Sequence, residues 1–325
     1  MHFNKWENFN YQNKFLNLML NGFKIFICGT SKITNTHIKV LKKFRNCKID
    51  FIYGKDKSRE AHLSKKFDIS ICESLTDSKI KNCNLAIVTN STKDHLNSIE
   101  TLSKSIKNFI VEKPLVKNSE ELKKLHKLQL ENKLSIQEVS QNIFNPIIRK
   151  NINKVSDLKI FVKKKRTNQY YKDFVGNYDF NKNAVSSQLP HWIDVAEQLI
   201  GSNLKILKIS KNKSSENIPF NDKILVKFIN DQEKKCTIEV NFSSNENHPT
   251  EIYLSGKKYE LNEKNPKKMI INYLNKFLPK LYLLNYQEKA FYHMYDFYLN
   301  NLINGVNDVK KKYSRKFEIL DNLNY

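Results

Sequence analysis

At 325 residues the chain exceeds a single average domain, so we expect two domains with ample length to bury a core. Its formal charge of +23 would suit nucleic-acid binding, but the lysines are scattered through apolar and polar segments alike, which argues against a nucleic-acid partner. The five cysteines are odd in number and at least eleven residues apart, which excludes a CxxC motif, predicts no metal site and fits a reducing cytoplasm.

No segment is predicted to enter a membrane. The apolar stretch from Phe15 to Cys28 is interrupted by polar residues, and the residue before Cys28 is not small, so it resembles neither a signal peptide nor a lipoprotein signal. Residues 1–22 lack a clear period and are expected to form an N-terminal extension, with a start at Met19 as the alternative. We therefore expect a cytoplasmic protein.

From Lys24 onwards, short apolar runs alternate with amphipathic segments. The apolar runs predict strands at 24–28, 49–53, 68–71, 85–88 and 109–111. Apolar residues at three- and four-residue spacing predict helices at 37–44, 58–66, 95–105 and 120–132. Because neighbouring parallel strands need a crossover connection, this alternation predicts a doubly wound parallel sheet, a Rossmann domain of residues 23–140.

After residue 140 the strand-like segments follow one another. They lie at 158–163, 206–209, 224–229, 236–242 and 251–255. With a helix at 190–200, they predict an α+β domain of residues 141–325 built on a large, mostly antiparallel open sheet. The segment from Tyr286 to Ile303 predicts an aromatic-rich amphipathic helix whose apolar stripe belongs to a core and not to a cofactor site.

The turn after the first strand is a candidate nucleotide-binding turn. Of the three glycines in a GxGxxG or GxGxxA turn, only Gly29 is present, and Ser31 and Thr34 replace the others. Both are small, their hydroxyls can bond phosphate, and a helix N-terminus follows. The predicted cofactor-binding residues here are Gly29, Ser31, Lys32 and Ile33. An ordinary strand-to-helix turn is the alternative.

The end of the second strand bears on the choice between NAD and NADP. An acidic residue there usually holds the ribose hydroxyls, but this chain has Gly54, with Lys55 and Arg59 close by. Cations without a carboxylate would accommodate a 2′-phosphate, so these three residues are predicted to favour NADP within an NAD(P) site. If Asp56 turns inward, NAD becomes the alternative.

Polar residues also follow the strand at 85–88. Thr89, Asn90 and Ser91 can line a nicotinamide ribose, and His95 lies at the start of the next helix. They are predicted to contact the cofactor. Capping of that helix by Ser91, and a structural role for His95, are the commoner alternatives.

Glu112-Lys113-Pro114 closes the strand at 109–111. In open α/β sheets ligands bind outside the carboxyl ends of the strands, so Glu112 and Lys113 are expected beside the cofactor. Pro114 restrains the backbone of Lys113, and a cis peptide bond between the two residues is one way to do so. This restraint would fix the direction in which the Lys113 ammonium points. A simple strand stop is the alternative.

Several motifs together resemble one family, the glucose-fructose oxidoreductase, inositol dehydrogenase and related family, written Gfo/Idh/MocA. In order along the chain they are the turn at Gly29 followed by His37, the Thr-Asn-Ser-Thr-x-x-His segment ending at His95, Glu112-Lys113-Pro114, the stretch Gln141-Asn142-Ile143-Phe144-Asn145-Pro146, and His191-Trp192-Ile193-Asp194. The resemblance covers residues 24 to about 205.

The resemblance implies an NAD(P)-dependent oxidoreductase acting on a sugar, polyol or sugar nucleotide. Lys113 would match the family's active-site lysine, and His191 its frequent acid/base. Asn142 and Ser187 would lie on the substrate side, but Ser187 stands where many members carry an aspartate, and it cannot take up a proton at neutral pH. Asp194 could orient His191, although a structural role is its commoner use.

The resemblance also implies a homodimer or homotetramer formed through the C-terminal sheet. A sugar nucleotide used for surface polysaccharide is a possible substrate. The rival hypothesis is a non-catalytic, nucleotide-binding member of the same fold, which the single glycine in the turn and Ser187 would explain.

Overall fold

The computed structural model describes residues 22–152, 154–172, 183–214, 218–261, 286–304 and 309–324. The extension predicted for residues 1–22 lies, except for Gly22, outside the described residues. The chain divides into two compact units. The first comprises the described residues within Met1–Val139 and Phe291–Lys312, and the second those within Ser140–Ala290 and Tyr313–Tyr325.

The first unit contains a six-stranded sheet. Its strands are β1 (Phe23–Cys28), β2 (Cys47–Tyr53), β3 (Ser70–Ile71), β4 (Leu85–Val88), β5 (Asn108–Val111) and β6 (Ser135–Glu138). All are parallel, in the order β3-β2-β1-β4-β5-β6, so the order reverses between β1 and β4. The predicted doubly wound Rossmann sheet is confirmed. Strand β6 was not predicted.

Four helices connect these strands, namely α1 (Thr34–Leu41), α2 (Lys57–Phe67), α3 (Thr92–Leu102) and α4 (Ser119–Asn132). Each begins one to three residues earlier than its apolar period predicts, because the first turn follows the capping residue and not the first apolar one. Asp56 caps α2 by accepting the N–H of Arg59, and Asn118 caps α4 by accepting that of Glu121.

The second unit contains another six-stranded sheet. Its strands are β7 (Asp157–Lys163), β8 (Lys205–Asn212), β9 (Lys223–Ile229), β10 (Lys235–Asn241), β11 (Thr250–Leu254) and β12 (Lys257–Leu261). The order is β12-β11-β7-β10-β9-β8, and every pair except β7 with β10 is antiparallel. The predicted mostly antiparallel sheet is confirmed; β12 was not predicted.

Two helices of the second unit are α5 (Pro146–Lys150) and α6 (Ala184–Ile200). Helix α6 begins six residues before its predicted start, so Pro190 lies inside the helix and not at its beginning. Its inner face includes Leu189, Ile193 and Ala196, which are fully buried. The helix packs on strands β7, β9 and β10, whose inward residues form the core of this unit.

The last two helices are α7 (Tyr286–Asn304) and α8 (Val309–Asn324). The aromatic stripe of α7 is buried as predicted, through Phe291, Tyr295 and Tyr298, whereas Phe297 is 51% exposed. From Phe291 onwards α7 belongs to the first unit, although residues 141–325 were expected to form one domain. A buried stripe shows that a helix packs on a core but not on which core.

Among the residues that the structure describes, no helix is both long enough and apolar enough to cross a membrane. Within the same described ranges, no three histidine, cysteine, aspartate or glutamate side chains group as ligands for a metal ion. All five cysteines are free thiols. Burial raises the pKa of Cys28 to about 12, so this thiol beneath the first turn stays protonated at neutral pH.

Candidate active site

The residues that follow four neighbouring strands lie side by side at the carboxyl edge of the first sheet. The N–H of Gly29 donates to Tyr53 O at 2.7 Å, and that of Thr89 donates to Cys28 O at 2.7 Å. The N–H of Glu112 donates to Val88 O at 2.8 Å. Sequence positions separated by more than 80 residues therefore meet at the point where the strand order reverses, which is where such sheets bind ligands.

Gly29 makes the closest backbone contact of this edge. Its φ is +121°, in a region that favours glycine, and a Cβ atom built on it would lie 2.3 Å from Asn90 N and 2.6 Å from Thr89 C. The turn after β1 therefore packs directly on the backbone after β4. Any larger residue at this position would push the two turns apart.

The other residues of the turn lead into α1, whose first turn carries no acidic side chain. Ser31 and Ile33 are half-buried and Lys32 is exposed, so all three lie at the helix N-terminus as predicted. Thr34 differs from the expectation. It is fully buried, and its hydroxyl lies 2.8 Å from Thr89 Oγ1 and bonds Gly29 O, so it joins helix to strand and does not face a phosphate.

At the end of β2, Gly54 packs closely against Thr30. A Cβ on Gly54 would lie 2.3 Å from the Thr30 side chain, and the N–H of Gly54 donates to Glu60 Oε1 at 2.7 Å. The two nearby predicted cations, Lys55 and Arg59, are exposed. Lys55 Nζ lies 2.9 Å from Asp94, and Arg59 Nε lies 3.8 Å from Asp56.

The carboxylate of Asp56 caps α2 through the N–H of Arg59 at 3.0 Å. This hydrogen bond holds the Asp56 carboxylate at the start of the helix. Asp56 therefore does not adopt the inward-turned conformation that would have favoured NAD.

Asn90 offers a polar atom toward a ligand. Its Nδ2 donates to Ser98 Oγ at 2.8 Å, which fixes the amide plane. Its Oδ1 is buried and meets no hydrogen-bond donor among the residues that the structure describes. The neighbouring Ser91 precedes α3 without making a side-chain cap to the described helix. An amide oxygen with spare capacity at the switch point suits a cofactor that carries hydroxyl or amide donors.

His95 is fully buried. Its Nδ1 lies 3.1 Å from Pro114 O and 3.2 Å from Leu115 O, and its Nε2 lies 3.2 Å from Asn90 O. Burial lowers the pKa of His95, although the three carbonyl oxygens oppose this. The ring thus ties the turn after β4 to the turn after β5. Both ring nitrogens face backbone carbonyl oxygens, which is the arrangement expected of the structural alternative.

Glu112 belongs to a buried hydrogen-bonded chain. Its Oε1 lies 2.7 Å from His37 Nε2, its Oε2 accepts the N–H of Lys113 at 3.1 Å, and His37 Nδ1 lies 2.5 Å from the Tyr295 hydroxyl. Burial would raise the pKa of Glu112, but the hydrogen bond and charge interaction with His37, followed by the charge of Lys113, more than offset it, so the pKa lies below its ordinary value. Glu112 is therefore an anion next to Lys113.

Lys113 is half-buried, and its peptide bond to Pro114 is cis. Burial lowers the pKa of its ammonium, while the carboxylates of Glu112 and Glu138 oppose that shift. Glu138 is fully buried and accepts the N–H of Leu115 at 2.8 Å. The structure therefore brings a lysine and two carboxylates to the ends of β5 and β6. Glu138 was missed because β6 is a short strand without a clear apolar run.

In the second unit, Ser187 and His191 lie one turn apart on α6, and His191 is buried. The Ser187 hydroxyl donates to Asn183 O at 2.6 Å, the backbone oxygen of the residue that precedes its helix. Asn142 is half-buried in a 3-10 turn at Gln141–Phe144, which contacts α6. The three residues predicted on the substrate side therefore belong to one helix and the turn packed on it.

Asp194 has partners other than His191. Its Oδ1 accepts from Lys316 Nζ at 2.9 Å, and its Oδ2 accepts from Ser140 Oγ at 2.5 Å. Lys316, on α8, is buried. The carboxylate thus joins α6 to α8, in agreement with the structural alternative. Lys316 was missed because a lysine in a lysine-rich stretch is expected on a solvated surface.

Residues 23–138 match the family model described as "Oxidoreductase family, NAD-binding Rossmann fold", GFO_IDH_MocA. The match spans all six strands of the first sheet, together with Gly29, Thr89, Lys113 and the other residues at its carboxyl edge. No curated protein matches the chain in sequence.

Solved structures share the fold across most of the chain. The WlbA dehydrogenase from Bordetella pertussis, in complex with NADH and UDP-GlcNAcA, has a TM-score of 0.68 and 15% identity over 89% of this chain and 90% of that one. A dehydrogenase (MviM) from Clostridium difficile has a TM-score of 0.68 and 15% identity, covering 92% and 99%. An oxidoreductase from Agrobacterium radiobacter, in complex with NAD+, L-tartaric acid and magnesium, has a TM-score of 0.62 and 11% identity, covering 74% and 74%.

Identities this low show a common fold alone, so the likeness to the family rests on the sequence match of residues 23–138. The predicted resemblance is therefore confirmed over residues 23–138, which match the NAD-binding Rossmann domain of the Gfo/Idh/MocA oxidoreductase family.

Proposed function

We propose that the protein is an NAD(P)-dependent dehydrogenase or reductase that acts on a hydroxyl or carbonyl carbon of a sugar, polyol or sugar nucleotide in the cytoplasm. The observation that carries the proposal is the half-buried Lys113 beside the ionised Glu112, at the end of a strand next to the switch point. A surface strand stop would not need a buried carboxylate with two hydrogen-bonded partners.

The residues at the switch point fit a dinucleotide. Gly29 lets the turn after β1 pack closely on the turn after β4, the first turn of α1 carries no acidic side chain, and Asn90 Oδ1 has spare acceptor capacity. Ser31 and Ser91 add hydroxyl groups on either side. A bound nicotinamide would supply the hydride donor or acceptor of the reaction.

The chain's own residues would handle the oxygen and its proton. Lys113 donates a hydrogen bond to the reacting oxygen and stabilises negative charge where it develops. His191 takes up or returns the hydroxyl proton, which suits a side chain that titrates near neutral pH. The Ser187 hydroxyl cannot take up a proton at neutral pH, as the carboxylate of an aspartate at this position could. His191 is therefore the only acid/base proposed on α6.

We expect NADPH to bind more tightly than NADH, by about tenfold, which corresponds to one charge-assisted hydrogen bond. Gly54 brings no carboxylate to the ribose. The exposed ammonium of Lys55, which pairs with Asp94, would pair with the 2′-phosphate of bound NADPH instead. Titration of each cofactor by nicotinamide fluorescence measures the ratio. Lys55→Ala should weaken NADPH and leave NADH unchanged; tighter binding of NADH by the unmodified protein would contradict the preference.

The substrate class is tested by following absorbance at 340 nm with a panel of sugars, polyols and sugar nucleotides. The WlbA structure was solved with UDP-GlcNAcA, so acidic sugar nucleotides are the first compounds to include. Failure of both cofactors to bind would overturn the enzyme proposal. Cofactor binding without turnover, unchanged by Lys113→Ala, would favour the non-catalytic member of the fold.

We also propose a homodimer or homotetramer formed through the second sheet. Its edge strand β8 carries the exposed apolar side chains Leu207, 57% exposed, and Ile209, 36% exposed. Phe161 and Tyr253 form a half-buried aromatic pair on the same sheet, with ring centroids 5.7 Å apart. Light scattering should give a mass of two or four chains, and Leu207→Asp should lower it. A monomeric mass for the unmodified protein would contradict the proposal.

A further inference from the structure

The chain of hydrogen bonds behind Lys113 joins three distant parts of the first unit. Tyr295 lies on α7, His37 on α1 and Glu112 at the end of β5, so residues 258 positions apart in sequence meet at one imidazole. Tyr295 and His37 are fully buried. The ring of His37 also packs edge-on against Phe291, with centroids 5.0 Å apart, which prevents it from turning freely.

The partners of His37 determine where its proton lies. Ionised Glu112 can only accept, so His37 Nε2 carries the hydrogen. Burial raises the pKa of Tyr295 well above its ordinary value, so its hydroxyl stays protonated where it hydrogen-bonds Nδ1. One hydrogen bond therefore joins Tyr295 to His37 Nδ1 and another runs from His37 Nε2 to Glu112, so both nitrogens of the imidazole are used.

We propose that His37 and Tyr295 are positioning residues for Lys113, which act by holding the Glu112 carboxylate ionised and in place beside it. The mechanistic meaning of this inference rests on the proposed function of Lys113. A buried ammonium without a nearby anion loses its proton more readily. The Tyr295-His37-Glu112 chain thus keeps the lysine charged, and able to stabilise the reacting oxygen, to a higher pH than its burial alone would allow.

The titratable groups that act on this chain come from three elements. Besides Glu112 and Lys113 at the end of β5, Glu138 at the end of β6 acts on the lysine, and His95 on α3 senses the charge of Glu112. Glu138 partly compensates for loss of Glu112. The effect of Glu112→Gln is therefore a shift of the lysine's titration and not its complete neutralisation.

The direct measurement is the pKa of the Lys113 amine. Competitive acetylation with acetic anhydride at a series of pH values, read by mass spectrometry of the Lys113 peptide, reports this pKa whether or not a substrate is known. Glu112→Gln should lower it by about one unit or more. Tyr295→Phe and His37→Leu should lower it by less, and His37→Gln, which keeps a donor toward Glu112, should restore most of the difference.

Tyr298→Phe is the matched control. Tyr298 lies one turn after Tyr295 on α7, is buried, and its hydroxyl donates to Glu138 O at 2.7 Å, so both variants remove one buried, hydrogen-bonded phenol hydroxyl. We expect Tyr298→Phe to cost similar stability without moving the pKa of Lys113. An unchanged pKa in Glu112→Gln, or equal shifts in Tyr295→Phe and Tyr298→Phe, would overturn the inference.

Turnover gives the second readout. With a substrate in hand, the alkaline limb of the kcat profile should move to lower pH in Glu112→Gln, with little change in KM for the cofactor. Shifted acetylation in a protein that turns over no substrate would support the electrostatic chain and overturn the proposed enzymatic function. The two ideas can therefore fail separately.

Discussion

Lys113→Ala should lower kcat by about 10²- to 10³-fold, the loss typical of removing one donor that stabilises charge in a transition state. Lys113 is half-buried, and the charge of the adjacent Glu112 opposes the lowering of its pKa by burial. Alanine removes this donor and leaves the residues of the β1 and β4 turns in place. Binding of NADH or NADPH should therefore change by much less than kcat.

The control for this variant is Lys117→Ala. Lys117 lies four residues later, at 45% side-chain exposure, and pairs with Glu121 at 2.6 Å. An exposed pair of this kind contributes at most about 1 kcal/mol, so kcat should remain close to that of the unmodified protein. Steady-state rates and cofactor titrations of both variants decide the matter. Equal kcat values for Lys113→Ala and Lys117→Ala would remove Lys113 from the proposed mechanism.

Lys316→Ala should destabilise the second unit by about 3–5 kcal/mol, because it leaves a buried carboxylate without its cation. Lys316 Nζ lies 2.9 Å from Asp194 Oδ1, and the two side chains are 1% and 14% exposed. Ser140 satisfies only the other carboxylate oxygen. Trp192 is buried two positions before Asp194 on α6, so its fluorescence during urea denaturation follows unfolding of this unit.

Two further variants separate the ion pair from general loss of packing. Lys205→Ala breaks an exposed pair with Asp231, at 64% and 49% side-chain exposure, and should cost no more than about 1 kcal/mol. Adding Asp194→Asn to Lys316→Met should recover part of the stability that Lys316→Met loses, since no charge is then left buried alone. Additive losses in this double-mutant cycle would contradict a direct pairing of Lys316 with Asp194.

The sequence alone predicted both sheets and the residues along the carboxyl edge of the first one. Strands such as Leu85–Val88 are short apolar runs bounded by polar residues, and the helices between them bury one side chain in every three or four. These periods arise from local backbone geometry, so they are visible without any knowledge of the fold. The motif at Lys113 could be recognised for the same reason, because its position follows from the end of a strand.

Only the tertiary structure decided the long-range partners. The stripe on α7 identified buried aromatic residues but could not show that Tyr295 would bond His37 in the first unit. The neighbourhood of Asp194 and Lys316 was likewise hidden, because the two residues lie 122 positions apart. A hydrophobic period records which face of an element is buried, whereas the choice of partner depends on how whole elements pack. The family and the catalytic candidates could thus be inferred from sequence, but the chain that holds Glu112 beside Lys113 could not.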